Sequence, residues 1–121
     1  MVLVDTSVWI EHFRFGNHAL RNALNDSLVL MHPFVLGELA CGGFKNRTRV
    51  LSDLAALPAA QTAAQEEVLR LVDDRRLWGR GIGWIDAHLL ASALLSGCRL
   101  WTTDVRLNRV AGALGLTSRD N

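Results

Sequence analysis

Residues 2–9 read Val-Leu-Val-Asp-Thr-Ser-Val-Trp, and this stretch decides the predicted fold. A continuous apolar run such as Val2 to Val4 is typical of a short strand that is buried on both faces. The polar residues that follow can cap the N-terminus of a helix, and Thr6 or Ser7 could do so as well as Asp5. A buried strand that leads directly into a helix is the first half of a parallel α/β unit.

The rest of the chain repeats this alternation. Strands are predicted over residues 28–31 and 98–102, and helices over 18–25, 33–41, 46–57, 63–78, 85–95 and 104–114. The glycine-rich residues 79–83 read Gly-Arg-Gly-Ile-Gly and are predicted to form a turn without regular structure. The pattern indicates an α/β domain with a mostly parallel sheet and helices on both faces. With 121 residues and no linker or repeat, residues 1–121 are expected to form one domain.

Composition excludes several classes of protein. Half of the residues are hydrophobic and 21% are charged, which argues against disorder. The chain lacks a basic leader and any apolar stretch that approaches the ~20 residues needed to span a bilayer, so a cytoplasmic location without membrane contact is expected. Cys41 and Cys98 lack the spacing of a zinc site and are expected to be reduced thiols in the core.

Four carboxylates, Asp5, Glu38, Asp86 and Asp104, lie beside strongly apolar sequence. Burying an ionised carboxylate without a partner is costly, so four such acids indicate a shared compensating charge, and Mg²⁺ or Mn²⁺ suits oxygen ligands best. Asp5 and Asp104 each follow a predicted strand, which brings both to one edge of a parallel sheet. Taken singly, Asp5, Asp86 and Asp104 also suit the N-termini of helices, whereas Glu38 has no such explanation.

The basic residues permit a nucleic-acid ligand without requiring one. The net charge is only +1, yet 12 of the 13 basic side chains are arginine, whose planar guanidinium suits phosphates and bases. Arg75, Arg76 and Arg80 are candidates for phosphate contacts, although such a cluster is usually a solvated helix end. Core packing explains most of the tryptophans better than RNA binding does, and Trp84, which stands close to Asp86, is the exception. The four tryptophans are Trp9, Trp78, Trp84 and Trp101.

Four motifs carry a family resemblance. They are Val-Asp-Thr-Ser at residues 4–7, Val-Leu-Gly-Glu-Leu at 35–39, Asp-Ala-His-Leu-Leu-Ala-Ser-Ala at 86–93 and Leu-Trp-Thr-Thr-Asp at 100–104. In order and spacing this set resembles the PIN domain, and within that family the VapC toxins of bacterial type II toxin–antitoxin pairs. The resemblance covers essentially the whole chain, and residues 106–116 resemble the closing helix of the family. The fourth acid varies more among PIN domains than the other three.

The resemblance implies a three-layer α/β/α sandwich around a short, mostly parallel central sheet. It also implies a metal-dependent endoribonuclease in which Asp5 and Asp86 are the principal ligands of Mg²⁺ or Mn²⁺. Glu38 would orient or deprotonate the attacking water, directly or through the metal, and Asp104 would complete the site as a further ligand. Ser7 and Thr102 would hold these ligands by hydrogen bonds. The number of metal ions is left open by the sequence.

The implied partners are an RNA substrate, a small VapB-like antitoxin that reaches into the acidic groove, and a second copy of the chain in a homodimer. Two alternatives keep the fold: a protein-binding module with an acidic pocket and little or no catalysis, and a solitary PIN nuclease without an antitoxin. A phosphatase or receiver-like domain with Asp5 as phosphate acceptor is disfavoured, because Asp5 has no second Asp nearby and Asp104 no nearby lysine. The four histidines lack metal-binding spacing, which disfavours a histidine mechanism.

Overall fold

The structure is a computed structural model that describes residues 1–117. Its three strands are β1 (Val2–Val4), β2 (Val29–Leu30) and β3 (Arg99–Trp101). The helices of the described residues are α1 (Thr6–Phe15), α2 (His18–Asn25), α3 (Pro33–Ala40), α4 (Arg47–Ala55), α5 (Gln65–Asp74), α6 (Trp84–Ser96) and α7 (Val105–Ala113). The predicted domain runs to residue 121, and its residues 118–121 lie outside the described part.

The strands form a parallel sheet in the order β2-β1-β3, with β1 at its centre. The chain leaves β1 for β2 on one side and later crosses to β3 on the other. Because parallel crossovers are right-handed, opposite directions of travel place the connecting helices on opposite faces of the sheet. The connections therefore diverge between β1 and β3, and the crevice beyond the carboxyl ends of these two strands is where α/β proteins bind ligands. The predicted α/β sandwich with a short parallel sheet is confirmed.

Helix α6 lies at the centre of the molecule. Its residues 87–93 are all buried, and the helix packs against both β1 and β3. A helix that is apolar on every side is stable only inside a core, which explains why this segment lacks the polar stripe of a surface helix. Its first turn carries Asp86, so the core itself fixes the position of that acid. Gly97 ends the helix in the left-handed region, with φ of 62°.

Most predicted elements are present with shorter bounds. The strand predicted over residues 28–31 is reduced to Val29–Leu30, because Met31 forms only an isolated bridge with Ala59. The strand predicted over 98–102 is Arg99–Trp101. The helix predicted over 63–78 ends at Asp74, where Arg75 and then Arg76 leave helical geometry. Residues 79–83 contain no regular element, as predicted.

Two predictions of burial are wrong. Trp78 is 62% exposed, although core packing was expected for it, because helix α5 ends before it and it lies in the turn that follows. Cys41 is exposed rather than buried, since it follows the last turn of α3 at the surface, whereas Cys98 is buried as predicted. None of the helices in residues 1–117 combines the length and the apolar character needed to cross a bilayer.

Candidate active site

Asp5 lies where β1 ends and α1 begins. Its side chain caps the helix, because Oδ1 accepts a 2.8 Å hydrogen bond from the Thr6 N–H. The prediction that Thr6 or Ser7 could cap instead is wrong, and the reason is that Ser7 turns its hydroxyl toward Asp5 Oδ2 at 2.9 Å. The carboxylate is 7% exposed and accepts its hydrogen bonds from uncharged donors. It is thus a nearly buried, rigidly held carboxylate.

Thr102 connects Asp5 to the third strand. The pairing of Val4 with Trp101 aligns the ends of β1 and β3, so the next residues leave the sheet side by side. The Thr102 hydroxyl donates to Asp5 Oδ2 at 2.7 Å, and its oxygen accepts the Asp104 N–H at 3.0 Å. A single hydroxyl therefore couples two of the four acids through hydrogen bonds.

Asp104 is the N-cap of α7. Its Oδ1 accepts from the Leu107 N–H at 3.0 Å, and the residue is exposed. The other carboxylate oxygen has no role in this cap. Asp104 therefore caps α7, as the sequence suggested. Because the cap uses only one carboxylate oxygen, capping does not prevent Asp104 from also taking part in the site.

Glu38 reaches the site from α3. Its Oε1 accepts a 2.7 Å hydrogen bond from the Thr6 hydroxyl, one residue after Asp5. The side chain is exposed and borders two cavities, of about 280 Å³ toward Phe44 and about 360 Å³ toward Trp84. The expectation that Glu38 points into open space beside small residues agrees with this arrangement. The second oxygen of Glu38, Oε2, accepts no hydrogen bond from the described residues.

Asp86 is half-buried in the first turn of α6, where its Oδ2 accepts from the Gly83 N–H at 2.9 Å. Burial raises its pKa, and the charges of Asp5, Asp104 and Glu38 raise it further, while the Gly83 hydrogen bond acts in the opposite direction. Within residues 1–117, every charged group that perturbs the pKa of Asp86 is thus one of the other three acids. The four carboxylates form one electrostatic cluster, and no cationic side chain of this part of the chain offsets it at Asp86.

This cluster fits a divalent cation by the chemistry of its donors. They are all carboxylate oxygens, which Mg²⁺ and Mn²⁺ prefer, and their mutual repulsion is the cost that a cation would remove. Among residues 1–117, no three His, Cys, Asp or Glu side chains stand close enough to hold one ion directly. Mg²⁺ retains several waters and needs only one or two protein carboxylates, so the present spacing suits water-mediated contacts from the remaining acids.

Comparison with known proteins decides the family. The PIN domain family matches residues 2–113, a span that includes all four acids. The chain belongs to the PIN-domain family. Two curated relatives, both described as Ribonuclease VapC32, come from Mycobacterium tuberculosis strains CDC 1551 / Oshkosh and ATCC 25618 / H37Rv. Each is 50% identical over 117 residues, which cover 96% of this chain and 94% of the relative. The resemblance to VapC-type PIN domains is confirmed.

The predicted RNA-contact residues of this PIN domain are not one cluster. Arg75 and Arg76 follow α5 on the surface, whereas Arg80 lines a cavity of about 570 Å³ together with residues of α7. Trp84 is 41% exposed and stands beside Glu38 on the wall of the cavity of about 360 Å³. Arg80 and Trp84 are therefore close to segments that carry acids, whereas Arg75 and Arg76 line neither of these cavities.

Three residues near the acids of the PIN domain were not singled out from the sequence. Thr6 holds Glu38, and Arg106 and Arg109 stand with Arg80 around the largest of these cavities. The spacing of Arg106 and Arg109, three residues apart on a helix that begins at Asp104, could have placed both on one helix face. Nothing in the sequence indicates the contact between Thr6 and Glu38, which depends on how α1 packs against α3.

Proposed function

We propose that this protein is a divalent-metal-dependent endoribonuclease and the toxin of a VapBC-type toxin–antitoxin pair. The observation that carries the proposal is the coupling of Asp86 to the other three acids, with no cationic side chain of residues 1–117 among the groups that perturb its pKa. Two relatives named Ribonuclease VapC32 at 50% identity support the same activity. RNA would be the substrate, cleaved by hydrolysis of a phosphodiester.

Mg²⁺ or Mn²⁺, when bound at these acids, would supply activation of water and charge neutralisation at the scissile phosphate. Asp5 and Asp86 are the best candidates to hold it. Asp5 is nearly buried and fixed by hydrogen bonds from Thr6, Ser7 and Thr102, so it needs no reorganisation to act as a ligand. Asp86 is set in the most buried helix, and the repulsion at its carboxylate favours a cation there.

Glu38 is the candidate proton acceptor. Its carboxylate is exposed at the mouth of two cavities, and the Thr6 hydroxyl occupies only Oε1, so Oε2 is available to a water. A general base must lie within hydrogen-bond reach of the proton that it removes, and an accessible oxygen beside the other acids supports this role for Glu38. Asp104 would add a further negative charge from the start of α7, where Thr102 holds its backbone N–H and the Leu107 N–H holds its carboxylate.

The deciding experiment compares RNA cleavage by the purified protein in Mg²⁺, in Mn²⁺ and in EDTA. We expect cleavage to require the metal and to fall by at least about a hundredfold in Asp5→Asn and Asp86→Asn. Asp53→Asn, which alters an exposed acid on α4, is the matched control and should cleave as the wild type does. Cleavage that persists in EDTA would overturn the metal dependence, and full activity of both site variants would overturn the active site.

An antitoxin would dock beside Glu38. The cavity of about 280 Å³ there is lined by Ile10 and Phe13 of α1 and by Phe44, which follows α3. Arg14 also lines it, and Glu38 is the acid on its wall. A partner segment with apolar residues and one basic side chain would fill the groove and compensate the acids, as expected for a VapB-like antitoxin. The test is to look for a small reading frame directly upstream of the gene and to co-express its product with this protein. Copurification with loss of cleavage supports the pairing, and independent purification with full activity contradicts it.

Self-association is the last part of the proposal. We expect a homodimer, in keeping with the resemblance to VapC toxins. Sedimentation equilibrium of the protein alone tests this expectation. A mass near twice that of the 13.3 kDa chain supports it, and a monomer at micromolar concentration contradicts it.

A further inference from the structure

The largest of the cavities described above is basic. Arg80 lies on one wall, in the glycine-rich turn, and Arg106 and Arg109 lie on the other, on one face of α7; we call this cavity the arginine cleft. Its volume is about 570 Å³, and Val110 and Ala113 continue the helical wall. Three guanidinium groups around one open cavity repel one another, so an anion between them would relieve the repulsion.

The glycine-rich turn is built around Arg106. Gly81 has φ of 81°, in the left-handed region, and a Cβ at this position would overlap Arg106 Cδ and lie 3.0 Å from both Nε and Nη1. A Cβ at this position would displace the flexible Arg106 side chain, and the positive φ itself favours glycine. The glycine-rich turn and Arg106 are therefore in direct contact, so the turn and α7 together form the cleft.

Both walls of the cleft lead directly into the acidic site. The helical wall begins at the N-cap Asp104, two residues before Arg106, and the other wall runs on to Gly83, whose N–H is bonded to Asp86. The four acids do not line the cleft themselves, but both of its walls run on to residues that carry or bind them, so one extended ligand would reach from the cleft to the acids. A nucleic-acid strand has this character, because one phosphate can lie at the metal site while its neighbours extend along the surface.

We propose that the arginine cleft binds backbone phosphates of the RNA strand next to the scissile phosphodiester. The guanidinium fork matches phosphate in a bidentate manner, and contacts of this kind position the strand without reading its sequence. The chain is nearly neutral overall, but the cleft concentrates positive charge in one place. This positive charge lies next to the segments that carry the acids, which the substrate must approach. This inference rests on the proposed function for the identity of the polyanion.

The test measures binding of a fluorescent single-stranded RNA by anisotropy, in EDTA, so that no cleavage occurs. We expect the double variant Arg106→Gln/Arg109→Gln to bind at least about tenfold more weakly. The slope of log Kd against log salt should fall by about 0.7 for each phosphate that the variant no longer neutralises. Arg70→Gln on α5, an exposed arginine that does not line the cleft, is the matched control and should leave both quantities unchanged.

If the double variant does not fold, two single variants test the arginine cleft instead. Arg80→Gln alters only the turn and should weaken binding in the same way. Gly81→Ala should displace Arg106 and weaken binding, whereas Gly97→Ala imposes the same left-handed strain at the end of α6, with no atom within 4 Å of the new Cβ, and should not affect binding. RNA affinity and salt slope that are unchanged in all cleft variants would overturn the inference.

The same measurements separate this inference from the proposed function. Cleavage of RNA with an unchanged salt slope in the cleft variants would refute the cleft alone. Absent cleavage, with a reduced slope in the variants, would refute the nuclease and leave the phosphate site standing, whereas metal-independent cleavage would refute only the metal dependence. Poly-glutamate is the competing probe: if the variants lose affinity for it and keep their affinity for RNA, the cleft serves an acidic protein and the inference is overturned.

Discussion

The Thr102 hydroxyl donates a 2.7 Å hydrogen bond to Oδ2 of Asp5, across 97 positions of the sequence. The bond lies in the buried part of the site and joins the ends of β1 and β3, so the sheet register directly determines the position of an acid. Since the same oxygen accepts the backbone N–H of Asp104, Thr102 holds the Asp5 carboxylate and the Asp104 backbone with one side chain.

Replacement of Thr102 by valine tests this link. Thr102→Val keeps the shape but leaves Asp5 Oδ2 and the Asp104 N–H each without one partner, which should lower the free energy of unfolding by about 1–3 kcal/mol. Cleavage should fall by about tenfold or more, as expected when a group that supports a metal ligand is removed. Thr102→Ser retains the hydroxyl and should remain close to wild type. Unchanged cleavage in Thr102→Val would show that Ser7 alone suffices to hold Asp5.

Asp86→Asn should stabilise the protein when no metal is present. The raised pKa of Asp86 means that ionisation disfavours the folded state, so its contribution to stability is largest at low pH and is lost as the pH rises through the folded-state pKa. Asn still accepts the Gly83 hydrogen bond without the charge. At pH 8 in EDTA we expect a Tm a few degrees above wild type, and at pH 4 a much smaller difference.

Bound metal should reverse the order of the two melting temperatures. Mg²⁺ should raise the Tm of the wild type more than that of Asp86→Asn, because the ion binds the folded state through the carboxylate that the variant lacks. Thermal unfolding monitored by circular dichroism, with and without about 10 mM Mg²⁺, measures both effects. Equal shifts in the two proteins would place the ion away from Asp86.

His32 should make the fold sensitive to mild acid. Burial, and secondarily the charge of His88, lower its pKa from 6.5 to about 4. The unfolded chain therefore takes up a proton first, and stability that is present above pH 6.5 is lost as the pH falls from 6.5 toward about 4. His32→Asn can still accept the Phe34 N–H at the N-terminus of α3 and lacks this titration. The Tm of the wild type should drop more steeply than that of the variant over this range, and parallel curves would contradict the assignment.

Trp84 should serve RNA binding more than stability. It is 41% exposed, and its ring meets His88 edge-on, with centroids 4.6 Å apart, which leaves much of its surface open beside Glu38. Stacking of a base on an aromatic ring contributes about 1–3 kcal/mol, so Trp84→Ala should weaken RNA binding about tenfold with little change in Tm. Phe15→Ala removes an aromatic ring that is 81% exposed at the far end of α1 and is the matched control. A large loss of Tm with unchanged binding would assign Trp84 to the core.

The sequence predicted what local pattern and topology determine. Val2 to Val4 marked the central strand, and the rule that parallel strands end at one edge placed Asp5 and Asp104 together. Helix α6 was predicted from its unbroken apolar pattern, and Asp86 was placed in its first turn. The PIN-domain resemblance then supplied the fold class, which the structure and the family match confirm.

Features that depend on how helices pack were not predictable in this way. The Thr6–Glu38 hydrogen bond requires the particular placement of α3 against α1, 32 residues apart. The arginine cleft requires the turn at Gly81 to fold back on α7, and a glycine in the sequence does not say which side chain it will meet. Arg75 and Arg76 were grouped with Arg80 because they are close in sequence, although Arg80 stands with α7.

We expect Asp5 and Asp86 to be anchored in the part of the molecule that opens last. Asp5 directly follows the central strand and Asp86 lies in the first turn of the helix whose residues 87–93 are all buried, so amide hydrogens there should exchange only through global unfolding. Partial melting of surface helices such as α4 would leave these two carboxylates at their native separation. We therefore expect the Asp5–Asp86 pair to stay assembled throughout the folded state, so that it can be switched off by covering it but not by loosening the surface helices.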